Sequence, residues 1–234
     1  MDFLNPDFYP TPPEVAAEML DPLDLRGRVV LEPSAGSGNL VRECLARGAA
    51  EVLWCEKEHQ LRPIVAAISQ AHFLRASFLD VSADLVSHVD LIVMNPPFSA
   101  DEAHILHAWE IAPPGCEIVA LCNWATVSDW RGNPYTTRPG TRLQQQLSHL
   151  IEAYGSKEPL GECFASAERP TKVSVGLVRL RKPGAKPSGD EFDGFFLGPD
   201  DIEAQGEGLI PYRRSRDIVN RFAEACRIYD QQVE

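Results

Sequence analysis

The sequence is short of positive charge, of paired cysteines and of long apolar runs, and each shortage removes a way of working. Against 34 Asp and Glu stand only 22 Lys and Arg, a formal net charge of −12. That balance argues against whole-surface attraction to a polyanion, because such binding rests on basic side chains neutralising phosphates. Any contact with nucleic acid must be local. Six cysteines, Cys44, Cys55, Cys116, Cys122, Cys163 and Cys226, form no C-x-x-C pair, so zinc and disulfide frameworks lack support and reduced, mostly buried thiols are expected. No metal site is expected. No apolar run is long enough to span a bilayer, and the opening Met1-Asp2-Phe3-Leu4-Asn5 has neither the basic start nor the apolar block of a signal peptide. The expectation is a cytoplasmic protein with no membrane partner. No internal repeat is evident. What remains, 234 residues of which 44% are hydrophobic and 24% charged, suffices for one α/β core and an appendage.

The rest of the chain is organised around Asp90-Leu91-Ile92-Val93-Met94-Asn95-Pro96-Pro97-Phe98. Four apolar residues after an acid predict a fully buried parallel strand, broken at its carboxyl end by Asn-Pro-Pro. That end is where open α/β sheets carry their chemistry. Pro97 lacks an N–H and restricts Pro96 to an extended conformation, which holds the Asn95 amide and the Pro96 carbonyl as a stiff pair of acceptors. With Phe98 as an apolar plate beside them, they suit a flat group bearing an NH2. Taken alone, the same residues describe a strand ending in a proline-rich turn.

A second motif of an independent kind lies about sixty residues upstream. Val29-Val30-Leu31-Glu32-Pro33-Ser34-Ala35-Gly36-Ser37-Gly38-Asn39-Leu40 reads as a strand, a glycine turn and a helix start, with an acid at the strand end. Gly36 and Gly38 let backbone approach a ligand closely. The pattern G-x-G-x-x-V lacks the third glycine of the dinucleotide fingerprint, which argues against NAD or FAD. The next strand, Glu51 to Cys55, ends at Glu56, where a Rossmann-type sheet puts the acid that accepts from ribose hydroxyls. Glu58 qualifies by type, but only Glu56 ends the apolar run.

Together these motifs resemble the class I S-adenosylmethionine-dependent amino-methyltransferases that modify adenine N6 or cytosine N4 in DNA, over roughly residues 5 to 182. The resemblance implies an α/β fold: a Rossmann-like, mostly parallel seven-stranded sheet with a terminal antiparallel hairpin and helices on both faces. It implies S-adenosylmethionine as cofactor, with Asn95, Pro96, Pro97 and Phe98 catalytic. Cofactor contacts would come from Tyr9, Thr11, Glu32, Ser34, Ala35, Gly36, Gly38, Glu56, Ser77, Phe78 and Asn95. Glu32 would meet the ammonium, and Phe8-Tyr9-Pro10-Thr11-Pro12 is similar to a segment that closes over the methionine end. Such enzymes usually carry an acid where Ser77 stands, contacting the adenine amine. Here Ser77, Asp80 or backbone would have to serve, and Phe78 is either a ring contact or plain core.

Along the chain, Glu14 to Leu20 reads as a helix with Thr11 as N-cap and Pro12 in its first turn. The predicted strands and helices then run Arg28 to Leu31, Asn39 to Arg47 closed by Gly48, Leu61 to Gln70, and Phe73 to Arg75. Asp101 to Ile111 is a helix whose His104 and His107 are too few for a metal site and read as packed or solvated. Glu117 to Cys122 is a strand and Leu143 to Ile151 a helix, and the hairpin is expected near Glu162 to Phe164 and Lys172 to Leu180. Between them, Asn123 to Arg142 interleaves aromatics and arginines on a glycine-proline loop. Trp130, Arg131, Arg138 and Arg142 are candidate substrate contacts there, in what could equally be an ordinary loop. The basic Arg179, Arg181, Lys182 and Lys186 offer a second place for phosphates. The expected organisation is a methyltransferase domain over 1–182, a linker over 183–214 and a C-terminal helix over 215–234.

The activity expected is methyl transfer to adenine N6 in DNA, with a homodimer or a partner protein adding target recognition. Enzymes that methylate an RNA base amine or a protein glutamine amide share the motif, and both readings stay open. A non-catalytic cofactor-binding subunit is a third, against which the intact Asn95-Pro96-Pro97-Phe98 counts.

Overall fold

The computed structural model describes residues 8–128, 140–165, 167 and 169–184. In chain order they form α1 (Pro13–Leu20), β1 (Val29–Glu32), α2 (Asn39–Ala46), β2 (Glu51–Cys55), α3 (Arg62–Ala66), β3 (Ala71–Arg75), β4 (Leu91–Met94), α4 (Asp101–Ile111), β5 (Glu117–Asn123), α5 (Trp124–Val127), α6 (Arg142–Tyr154), β6 (Gly155–Gly161) and β7 (Val175–Arg181). All but the first two residues of the expected linker, the whole C-terminal helix, and Trp130, Arg131, Arg138 and Lys186 lie outside the described residues.

Seven strands make one sheet in the order β3-β2-β1-β4-β5-β7-β6. Five are parallel, and β7 runs antiparallel to both its neighbours. The apolar runs of β1, β2, β4 and β5 are continuous because both faces are covered. Leu31, Leu53, Ile92, Ile118 and Val178 pack toward α4 and α6, while Val30, Val52, Leu91, Val119 and Leu177 pack toward α1 and α2. Period-two alternation therefore separates two cores rather than core from solvent. The strand order changes direction between β1 and β4, and there the crevice at the carboxyl ends opens.

Three expectations need correction. Thr11 does not cap α1: Pro12 holds the N-cap position without a side-chain bond, and the Thr11 hydroxyl is used elsewhere, as described below. The helix expected over Leu61 to Gln70 is only five residues, Arg62–Ala66, and Gln70 takes a left-handed φ of 64°, which ends the turn before β3. The hairpin's first strand is not at Glu162 to Phe164. It is Gly155–Gly161, directly after α6, and it lies at the sheet edge. An edge strand tolerates Pro159 and keeps little apolar signal, so its sequence reads as a loop. Phe164 instead anchors the following loop in the core at 1% exposure.

The basic end of the hairpin also has another role. Antiparallel register pairs Arg181 with Glu117 and Val175 with Asn123, so Arg179 to Lys182 sit at the amino ends of the parallel strands, across the sheet from the crevice. Arg179 donates to the Met19 and Glu18 carbonyls (3.0 and 2.8 Å), closing the carboxyl end of α1. Lys182 bonds the Trp109 and Glu110 carbonyls of α4 and lies over the Trp109 ring. These cations complete helix ends, where carbonyls lack partners and positive charge is favoured.

Candidate functional site

A cleft of about 420 Å³ opens at the carboxyl ends of the strands, lined in part by Tyr9, Glu32, Gly36, Glu56, Ser77 and Asn95. Glu32 ends β1 at 1% exposure. Its Oε1 accepts the Ser34 N–H at 2.9 Å, yet burial dominates and, with the Glu56 charge nearby, lifts its pKa to about 8. Glu56 ends β2 and is raised for the same first reason, burial, against N–H donors from Glu58 and Gly36. Of those two N–H groups, each 2.7 Å away, that of Gly36 fastens the carboxylate to the glycine turn and that of Glu58 holds it to its own loop. Two buried acids side by side, each held toward its neutral form by burial, make a floor that a cationic group would ionise.

The glycines divide their work. Gly36 lines the cleft at φ 55°, and a Cβ there would come within 2.9 Å of the Phe8 ring, so only glycine lets the arm before α1 close down on the turn. Gly38 does not line the cleft. At φ 83° it is the N-cap of α2, and its Cβ would strike Ile68 at 2.9 Å, so it serves the seating of α2 against α3 rather than a ligand.

The arm is fastened from three sides. Arg169, on the loop between β6 and β7, donates to the Phe8 carbonyl at 2.8 Å and stands over the Tyr9 ring at 4.7 Å. Asn39 donates to the Thr11 carbonyl at 3.0 Å. Asn95, at the end of β4, directs its Nδ2 to the Tyr9 carbonyl (2.9 Å) and the Thr11 hydroxyl (3.1 Å). A carbonyl can only accept, so Tyr9 decides which way the Asn95 amide faces. Both Nδ2 hydrogens are used, and among the described residues Oδ1 accepts none. The Pro96 carbonyl likewise accepts no backbone N–H among them. Oδ1 of Asn95 is thus left to accept, with the arm holding the amide's orientation.

The remaining positions are distributed as follows. Thr11, Ser34, Ala35 and Pro97 border the cleft, whereas Pro96 and Phe98 do not; Phe98 is half-buried and packs on the core shared with α1 and α2. Phe78 lines the cleft and also packs in the core, at 3% exposure. Arg142 is exposed at the start of α6, on the crevice side of the sheet, because α6 runs from there down to Gly155 at the opposite end.

Two contributors were not legible in the sequence. His104 borders the cleft and lies 5.8 Å from Phe78, nearly parallel. Asp101, completely buried, accepts from the Asn123 N–H (2.7 Å) and the Thr126 hydroxyl, tying the start of α4 to the ends of β5 and α5. Burial raises its pKa to about 7. The histidine spacing carried no metal signature, and an acid opening a helix looks like any capped N-terminus. Among the described residues no group of three potential metal ligands occurs, and no helix is long and apolar enough to cross a membrane.

The sheet order, the reversed β7 and the cleft over β1, β2 and β4 define the Rossmann-like class I methyltransferase fold. The family described as conserved hypothetical protein 95 matches residues 5–111, the span holding the arm, Glu32, Glu56 and the Asn95 motif. Two ribosomal RNA small subunit methyltransferases A are similar in sequence. The Dinoroseobacter shibae protein is 26% identical over 157 residues, covering 67% of this chain and 52% of its own. That of Cereibacter sphaeroides is 32% identical over 138 residues, covering 55% and 48%. The chain therefore spans about half the length of these relatives. In shape it is similar to the 23S rRNA methyltransferase ErmE, with a TM-score of 0.55 at 18% identity over 79% of this chain and 73% of that one.

Proposed function

We propose that the chain is an S-adenosylmethionine-dependent methyltransferase acting on the exocyclic amine of a base in RNA, with adenine N6 as the target atom. The observation that carries this reading is the Asn95 amide. Its nitrogen is engaged by Tyr9 and Thr11, which leaves Oδ1 as an acceptor at the cleft. S-adenosylmethionine fits the cleft by its chemistry: the buried Glu32 gains a partner in an ammonium, Glu56 retains acceptor capacity for ribose hydroxyls, and Phe78 offers an apolar face. When bound, it supplies an electrophilic methyl group.

A base amine is a poor nucleophile because its lone pair is delocalised into the ring. Asn95 Oδ1, accepting one of its hydrogens, draws the nitrogen toward tetrahedral geometry and frees the pair. No strong base is needed, since the methylated nitrogen is acidic enough to lose a proton to water. The rest is positioning, with the amine held in line with the methyl. A paired base is stacked out of reach, so the target is single-stranded or flipped out.

RNA is preferred over the DNA expected from the sequence because the two relatives similar in sequence are named for ribosomal RNA. Of the hairpin cations, Arg179 and Lys182 are engaged on helix carbonyls at the far end of the sheet from the cleft. Labelled methyl transfer to RNA, DNA and protein fractions side by side, followed by digestion to nucleosides, is the test. N6-methyladenosine from RNA is expected. Label confined to protein would end the nucleic-acid reading.

A further inference from the structure

The cleft is chemically lopsided. Its carboxylates, Glu32 and Glu56, stand at the ends of β1 and β2, whereas the β3 side is bounded by Ser77, Phe78, Leu79 and His104 and contains no acid. Asp80, which the sequence offered as a substitute, is exposed and does not line the cleft. A purine with an exocyclic amine needs an acceptor on that side as well as an apolar face.

We propose that His104 supplies this acceptor, binding the amine of the cofactor's adenine through Nε2 while Phe78 offers a face to the ring; the assignment rests on S-adenosylmethionine being the cofactor. The tautomer follows from hydrogen bonding. Nδ1 of His104 lies 2.9 Å from the Ala100 carbonyl one helical turn back. A carbonyl only accepts, so Nδ1 carries the proton and Nε2 of the neutral ring holds a lone pair. Burial first, and then His107 nearby, lower the His104 pKa and favour that neutral ring. The ring is held against Phe78 at an interplanar angle of 27°, and Phe78 is itself braced edge-on by His107. His107 is turned away, with Nε2 bonded to the Val81 carbonyl at 3.0 Å. Of the two histidines on α4, only His104 borders the cleft.

Calorimetry with S-adenosylhomocysteine and S-inosylhomocysteine, which has a carbonyl in place of the adenine amine, tests the assignment. The wild type should prefer the adenosyl compound by roughly three- to tenfold, the size of one neutral hydrogen bond. His104→Phe, which keeps a ring against Phe78, should bind both about equally, and His104→Gln, which restores an acceptor, should recover part of the preference. Ser77→Ala should leave it intact. An undiminished preference in His104→Phe, or its loss in Ser77→Ala alone, overturns the assignment while leaving the cofactor in place. Failure of the wild type to bind either compound overturns the cofactor reading and this one with it.

Discussion

The two ends of the sheet treat charge in opposite ways. At the amino ends of the parallel strands Arg28 and Arg181 both reach Glu117, the Asp90 carboxylate takes the Val29 N–H, and Arg179 and Lys182 close the carboxyl ends of α1 and α4. At the carboxyl ends Glu32, Glu56 and Asp101 are buried with hydrogen bonds but no ion pair among the described residues, and burial raises all three above ordinary carboxylate pKa values, against a weaker pull of Arg62 on Glu56. A pair satisfied within the chain has nothing left to offer a ligand. An acid left without a counter-charge costs stability until something positive arrives. One end therefore holds the fold together, and the other holds its chemistry in reserve.

The contrast can be broken by substitution. The largest effect is expected from Asn95→Ala, with methyl transfer falling by at least about a hundredfold, the size of losing a group that acts mainly in the transition state. Because Nδ2 also ties down the arm, cofactor affinity should weaken by a few fold as well. Thr11→Val, which leaves Oδ1 but removes one of the amide's two partners, should lower kcat by roughly tenfold at most, and Thr11→Ser should restore it. Equal turnover in Asn95→Ala and wild type would make the crevice end structural too.

Glu32→Gln comes next. Loss of the ammonium's partner should weaken S-adenosylmethionine binding by about 3 kcal/mol, near a hundredfold. Stability should move the other way. With a folded pKa of about 8 against an ordinary 4.5, the protonated acid is well tolerated below 4.5, and its contribution is lost as pH rises toward 8, by an amount on the order of a few kcal/mol. Urea unfolding at pH 5 and pH 9 should therefore show a downward slope in the wild type that flattens in Glu32→Gln. Binding of the cofactor near pH 7 should release protons, visible as a buffer-dependent heat. Identical slopes in the two proteins would mean that Glu32 is already ionised in the free protein.

Arg179→Ala should cost about 1–2 kcal/mol of stability through the freed α1 carbonyls and leave cofactor affinity unchanged. A drop in affinity would mean that the two ends are coupled. The smallest effect is expected from Arg142→Glu. If Arg142 touches a phosphate, the salt slope of RNA binding should fall by about 0.7 log units, one single-strand contact, with cofactor binding unaltered. Coincident slopes would remove α6 from the RNA contact.

Much of this was legible in the chain. Apolar runs of three or four residues closed by Glu32, Glu56 and Asn95 identify strands buried on both faces, because no other element needs continuous hydrophobicity and then a polar end. The glycine pattern implies close approach of a ligand at both positions, whereas only Gly36 lines the cleft, where it admits the arm, and Gly38 seats a helix. Edge and partner assignments were out of reach. An exposed strand such as β6 carries no apolar period, and an arginine's sequence neighbours do not reveal that its carbonyl partners lie some 160 positions away on α1. The same holds for the site. Sequence determined that Asn95 ends a buried strand beside two prolines, a local consequence of backbone restriction. Only the tertiary structure decided which face of its amide is free, because the carbonyl that orients it belongs to Tyr9, 86 residues earlier, and contacts of that range are made by packing, which no local pattern encodes.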